Sequence, residues 1–456
     1  MSKSVSERLV AFIQDGLKTG VPDKVANEAK RLLLNQFKAS VGAGDHPAVN
    51  LMHDWAVAQG VPAKTGTVLW RGTQVNPAQA SVVNGALFEV LDFHDTYIPC
   101  FMHAVSGVLP SILAAAEVGG QSGKRFITAL ALGLEAELAV STILTPTGYF
   151  RGYVPCGLFG GVGAAAACAA LAGYDDEKMR NAIGIAMCTA FGLYVSVGSD
   201  TLAYITGATA RSGYTAFELA GRGMTAPVTA FEGEKGMLVT HTDEKLEKID
   251  PVLDSLGKGE WRIFGQSYKT VPTETITHAP IELVLAMLPK VKGRIPQKIV
   301  FGVSPIVVTI VKERNERFGL PKSDLEARFD LRYCAAAAWE RGKFTLAEMA
   351  EPAFTDPKVL AIRDKVELVP EDRRATFNGA SLTVTFTDGS TEKLNVEDFL
   401  GTPGNPMSDD QLSNLFRTTA ADHMAKQRIE DLLAAIWSLD KAPDIRGMMS
   451  LARTGA

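Results

Sequence analysis

The sequence predicts a mainly α-helical protein. A large all-helical domain is formed by both chain ends, residues 1–265 and 402–456, and a smaller α+β domain, residues 266–401, is inserted between them. Three observations predict this. Apolar residues recur at helical spacing through the first part of the chain. Past residue 260 the composition turns β-rich, with an alternating segment folded about Asp388-Gly389. Beyond the turn Gly401-Thr-Pro-Gly-Asn-Pro406 the helical spacing returns, and those last helices are expected to dock on the first domain. A chain of 456 residues is also long for one core, which fits two domains.

Taken in order, residues 5–43 read as two helices. Val5, Leu9, Phe12, Ile13 and Leu17 mark the apolar face of the first. Val25, Ala29, Leu32, Leu33 and Phe37 mark the second, with Gly20-Val-Pro-Asp23 as the turn between them. A third helix is expected at 49–60, and a short extended segment with a turn at Gly66–Gly72. Helices follow at 77–90, 105–119, 122–142, 160–172, 176–197 and 208–221. In the inserted domain Gln297–Val308 reads as strand and Ala380–Leu394 as a hairpin, with helices near 275–289, 327–341 and 356–364. The closing helices are placed at 408–417 and 420–438.

Composition narrows the function classes. Apolar residues make up 46% with abundant alanine and glycine, as closely packed helices require. A net charge of −5 gives no general attraction for phosphate backbones, so no nucleic-acid partner is expected. Five cysteines (Cys100, Cys156, Cys168, Cys188 and Cys334), with no CxxC pair, argue for a reduced, cytoplasmic chain without disulfides or structural zinc. Glu7, Arg8 and Asp15 interrupt Val5–Gly16, which reads as an amphipathic helix and not an export signal. Phe159–Leu171 reads as too short and glycine-rich to span a bilayer, so a soluble protein without a membrane partner is expected.

The densest polar stretch is Glu89-Val-Leu-Asp-Phe-His-Asp-Thr-Tyr-Ile-Pro-Cys-Phe-Met-His103, set between two apolar segments. Polar groups are costly to bury unpaired, so such an insert points to a cavity. The plainer reading makes Asp92, Asp95 and Thr96 helix caps. Asp92, His94, Asp95 and His103 are metal-ligand types without a recognised spacing, and no metal is assigned. Gly157-Leu-Phe-Gly-Gly-Val-Gly163 superficially resembles a dinucleotide loop, but no β-rich run leads into it, and close helix packing explains its glycines better. There is no GxxxxGK[ST] loop and no GxSxG elbow. A second polar concentration runs from Trp261 to His278, where Tyr268 and Lys269 precede a helix carrying Thr277 and His278. A lysine beside a helix N-terminus can hold a carboxylate, although an ordinary lysine and a core histidine fit as well.

These stretches, in this order, resemble the MmgE/PrpD family, which includes 2-methylcitrate dehydratase, cis-aconitate decarboxylase and iminodisuccinate epimerase. Asn84-Gly-Ala-Leu-Phe-Glu-Val-Leu-Asp-Phe-His-Asp-Thr96 is similar to the family signature ending Leu-Asp-Phe-Asp-Asp-Thr, with His94 in place of one aspartate. His103 and Val108–Glu117 match its continuation, and Gly157-Leu-Phe-Gly160 resembles the second motif. Lys269–His278, Glu326–Tyr333 and Gly401–Pro406 resemble three further blocks. The resemblance covers nearly the whole chain. It implies a fold of the kind described above, a homodimer, no required cofactor, and a pocket lined by Asp92, Thr96, His103 and Lys269. Two departures stand out. The family's histidine before Gly-x-Phe-Gly is missing from Arg151-Gly-Tyr-Val-Pro-Cys-Gly157, and its Lys-x-Leu-His is replaced by Ala203-Tyr-Ile-Thr-Gly207. Arg151 and Arg211 are the candidates to restore a positive charge.

Enzymes of this kind move a proton at a carbon next to a carboxylate, which requires a base and stabilisation of developing negative charge. His103 is assigned as general acid/base, because an imidazole titrates near working pH. Asp92 orients it or acts as partner base, and Lys269 neutralises a substrate carboxylate. Tyr153, beside the missing histidine, takes a proton-transfer or hydrogen-bonding role. Thr96, His94, Arg151, Tyr268 and His278 are expected to bind substrate. The missing lysine and histidine point to a small-molecule carboxylate less anionic than methylcitrate or cis-aconitate. The expected activity is a dehydratase-type carbon–oxygen lyase, with a cofactor-independent epimerase, a decarboxylase or a non-catalytic binding protein as alternatives.

Overall fold

Ser4 and Glu7 determine where the chain first turns helical. The Glu7 N–H donates to the Ser4 hydroxyl and the Ser4 N–H donates to the Glu7 carboxylate, a reciprocal cap on the helix Val5–Thr19. The acidic residue that interrupts the apolar run is therefore the one that starts the helix. In this computed structural model, which describes residues 3–453, helix accounts for 61% of the chain and strand for 9%, so the protein is mainly α with a small sheet.

Contacts divide the chain into two units. Met1–Val90, His94–Gln266 and Ser408–Ala456 form the first, and Leu91–Phe93 and Ser267–Met407 the second. At the centre of the first lies the helix Pro155–Ala172, buried from Pro155 to Leu171. It packs against the helices Ala104–Gly119, Gly123–Leu144, Asp176–Cys188 and Thr201–Gly221. Glycine permits this closeness. A Cβ on Gly107 would lie 2.8 Å from the Cα of Gly160, and one on Gly85 would lie 2.6 Å from the Cα of Gly207. The Gly157–Gly163 run thus sits inside a helix, where its glycines allow close packing. The closing helix Asp409–Ala420 packs on Asp23–Ser40 within the same unit.

Several boundaries differ from the sequence expectation. The helix placed at 160–172 begins at Pro155, whose ring presets the first helical turn. At 18 residues it is, with Gly123–Leu144, long and apolar enough to cross a membrane, so its length does not exclude a span; both helices are mostly buried within the fold. The helix expected at 176–197 stops at Cys188, short of the positive φ of Gly192. The one expected at 208–221 already begins at Thr201.

In the second unit, strands Val366–Pro370, Pro296–Val303, Ala380–Phe386 and Thr391–Val396 lie in that order in one sheet. Pro296–Val303 pairs parallel with the first of these and antiparallel with Ala380–Phe386. Ala380, Leu382, Val384 and Phe386 alternate into the core, where the helix His278–Val291 covers them. The run Gln297–Val308 is strand only as far as Val303. Pro305 then opens a helix, Pro305–Phe318, whose Val307, Ile310 and Val311 share a buried face.

Candidate active site

The polar stretch 89–103 divides between the two units, and each part is built separately. In the first unit Glu89 ends the helix Pro77–Glu89, Asp95–Tyr97 forms a short strand, and His103 immediately precedes the helix Ala104–Gly119. Asp95 is fully buried. Its carboxylate accepts from the Gln36 side chain at 2.5 Å and from the Val105 N–H at 3.3 Å, so it caps the helix that follows His103. The Nδ1 of His103 lies 2.7 Å from the Asp95 carbonyl oxygen and 3.4 Å from the Thr96 hydroxyl. A carbonyl only accepts, so Nδ1 carries the proton and the neutral ring keeps its lone pair on Nε2. His94, fully buried, sits beside it with ring centroids 4.0 Å apart. Its Nε2 is 3.2 Å from the Glu89 carboxylate, which also accepts from the Thr206 hydroxyl at 3.0 Å. Cys156, in the first turn of the central helix, lies 3.4 Å from that hydroxyl.

Behind these groups Glu137 is fully buried on the helix Gly123–Leu144, and neither carboxyl oxygen has a hydrogen-bond partner among the described residues. Burial, and then the negative charge of Asp95, push its pKa well above the usual carboxylate range. Burial also pushes the Cys156 thiol up, which keeps it a thiol.

In the second unit Lys269 is fully buried. Its ammonium is paired with the Asp92 carboxylate and donates to the carbonyl of the same residue at 3.0 Å. Asp92 is left-handed, with φ 47°, a conformation that aspartate tolerates better than most residues. Arg328, also buried, donates to the Leu91 carbonyl at 2.7 Å and pairs with Asp324 at 2.8 Å. Leu91 and Asp92 are thus held by two buried cations. Tyr268 is buried and its N–H donates to the Gly401 carbonyl at 2.8 Å. His278, buried at the head of its helix, places Nδ1 3.1 Å from the Glu274 carbonyl and its ring against Phe399.

The remaining candidates lie in the first unit. Arg151 is exposed and paired with Asp243, and the Tyr153 ring packs against His241. The guanidinium of Arg211 lies over Trp55. The structure thus brings His94, Thr96 and His103 together with Glu89 and Thr206, while Arg151 and Tyr153 take their partners elsewhere. Glu89, Thr206, Glu137 and Arg328 were not singled out by sequence. Glu89 carried a signal as a carboxylate at the edge of the polar stretch, Thr206 lies in the altered segment Ala203–Gly207 and Arg328 in the block Glu326–Tyr333, while Glu137 carried none.

Comparison with known proteins gives the chain's relatives. The MmgE/PrpD N-terminal domain is matched over residues 7–249 and the MmgE/PrpD C-terminal domain over residues 271–440. The chain is 24% identical to a cis-aconitate decarboxylase of Homo sapiens, an alignment covering 99% of this chain and 95% of that protein. It is 25% identical to the cis-aconitate decarboxylase of Mus musculus, over 97% and 92% of the two chains. A cis-aconitate decarboxylase-like protein, oryM, of Aspergillus oryzae is 24% identical over 98% and 97%.

Proposed function

Because the chain belongs to the MmgE/PrpD family, we propose that it is a lyase that moves a proton at a carbon next to a substrate carboxylate. One observation carries this reading. The Asp95 carbonyl fixes the His103 tautomer, so Nε2 holds a lone pair poised as a base. In a dehydration Nε2 takes the proton from carbon and a hydroxyl leaves. In a decarboxylation the carbon–carbon bond breaks, carbon dioxide leaves, and His103, once Nε2 has taken a proton from solvent, donates that proton to the carbanion. The names of the relatives favour decarboxylation. The departures at Arg151–Gly157 and Ala203–Gly207 favour a substrate with fewer carboxylates than cis-aconitate.

Thr96, beside His103, is assigned to substrate binding. Lys269 keeps the proposed role of carboxylate partner, and a substrate would compete with Asp92 for it. An epimerase needs acid/base atoms on opposite faces of one carbon, each about 3 Å away. The two imidazoles instead lie side by side with centroids 4.0 Å apart, which favours the lyase.

Proton NMR of the purified protein in heavy water, with a panel of mono-, di- and tricarboxylates, tests the proposal. Net conversion of one compound to a lyase product, absent with a folded His103→Ala variant, is expected. Isotope exchange at an α-carbon without net conversion would replace the lyase with an isomerase.

A further inference from the structure

We propose that Glu89, His94 and His103 form a binding site for one divalent transition-metal ion of the zinc, cobalt or nickel kind. The three side chains each offer one ligand atom, and these atoms all lie within 4.8 Å of one another. A tetrahedral ion with bonds of about 2.0–2.1 Å has ligand–ligand edges of roughly 3.3 Å. The Glu89–His94 edge, at 3.2 Å, already has that length. The widest of the three separations has to shorten by at most about 1.5 Å to reach that length.

The surroundings are also those of a metal site. A ligating histidine generally donates its second ring N–H to a carbonyl or carboxylate, which fixes the tautomer and the ring. His103 does this through Nδ1 to the Asp95 carbonyl. The Glu89 carboxylate is oriented by the Thr206 hydroxyl. Two imidazoles and one carboxylate form a donor set for borderline ions, whereas magnesium and calcium prefer all-oxygen sites. Three protein ligands leave a fourth position open, as in catalytic zinc sites. Partial exposure of His103 provides the way in.

The metal and the proton compete for the same lone pair. When Nε2 of His103 coordinates an ion it no longer accepts a proton from carbon. The ion-bound form is therefore the one in which His103 is inactive as a base, and the ion acts as an inhibitor of the chemistry proposed above. This consequence rests on that proposal; the binding itself does not, and it is read without any substrate.

Protein stripped with a chelator and titrated with Co²⁺ is expected to take up one equivalent per chain and develop visible absorption bands of low-coordinate cobalt. Zn²⁺ should then bleach them. The ¹⁵N resonances of two of the seven histidines should move on adding Zn²⁺. His94→Asn should lose the bands. Thr206→Val, which removes the hydroxyl that orients Glu89 and lies beside Cys156, should weaken binding by about tenfold. Failure of the wild-type protein to bind, or equal uptake by folded His94→Asn, would overturn the proposal. In either case the 3.2 Å contact is a Glu–His ion pair and nothing more. If cobalt binds but no carboxylate turns over, the metal site stands and the lyase reading fails.

Discussion

Lys269 holds Asp92 by two oxygens at once, the side-chain carboxylate and the main-chain carbonyl, while Asp92 sits in the left-handed region of backbone space. The residue before Asp92 is gripped by Arg328. Removing either partner of such a buried pair leaves a charge without compensation. Lys269→Met is expected to destabilise the second unit by about 3–5 kcal/mol. The double variant Asp92→Asn with Lys269→Met should recover part of that loss, because no unpaired charge remains. Urea unfolding of the single and double variants measures it; strict additivity would show that the pair is not coupled.

His103→Ala removes the imidazole but leaves Asp95 to cap the following helix through Val105. Turnover on an identified substrate should fall by about 10²–10⁴. The loss in stability should be only about 1 kcal/mol, one hydrogen bond. Wild-type-like kcat in the folded variant would remove His103 from the mechanism.

Glu137 makes stability depend on pH in a defined direction. Its pKa is raised in the folded chain, by burial first and by Asp95 second. The folded state therefore binds this proton more tightly than the unfolded state. The contribution is fully present below the ordinary glutamate pKa and is lost as pH rises towards the raised one. Glu137→Gln imitates the neutral acid at every pH, so the stability of wild type relative to the variant should decline from acid to alkaline pH. Urea midpoints of both proteins across that range provide the comparison. A difference independent of pH would mean that Glu137 is not protonated in the fold.

Gly401 has φ 107°, and a Cβ there would overlap the Tyr268 carbonyl oxygen. Gly401→Ala is expected to cost about 2–4 kcal/mol, combining backbone strain with the steric clash. It should also broaden the amide resonance of Tyr268, whose N–H bonds to the Gly401 carbonyl. An unchanged Tm would indicate that the loop moves aside freely.

The hairpin Ala380–Val396 was legible because strict alternation about Asp388-Gly389 has no helical counterpart. The helix faces of Val5–Thr19 and Asp23–Ser40 were legible for the same kind of reason. The helix Pro305–Phe318 was not: Ile306, Val307 and Val308 are β-branched, and the signal that overrides them is a proline at the first helical position. Strand Val366–Pro370 is short, lies at the sheet edge and has only one fully buried residue, so no pattern announces it. In the polar stretch, density and the family resemblance together marked His94, Thr96 and His103. The groups around them, Gln36, Glu137 and Thr206, come from helices far away in sequence. Nothing in local spacing tells such a residue from an ordinary helix position.

The glycine-lined contacts of the first unit have an evolutionary consequence. Where Gly85 meets Gly207 and Gly107 meets Gly160, main chain rests on main chain, and no side chain lies between to be exchanged for a longer or shorter one. Helix spacing there is set by covalent geometry and is insensitive to drift in the rest of the sequence. Glu89, Cys156 and Thr206 ride on those helices, so the frame that carries them can persist while its lining is rewritten. Chains that share only a quarter of their residues can then inherit one scaffold and diverge in what it acts upon.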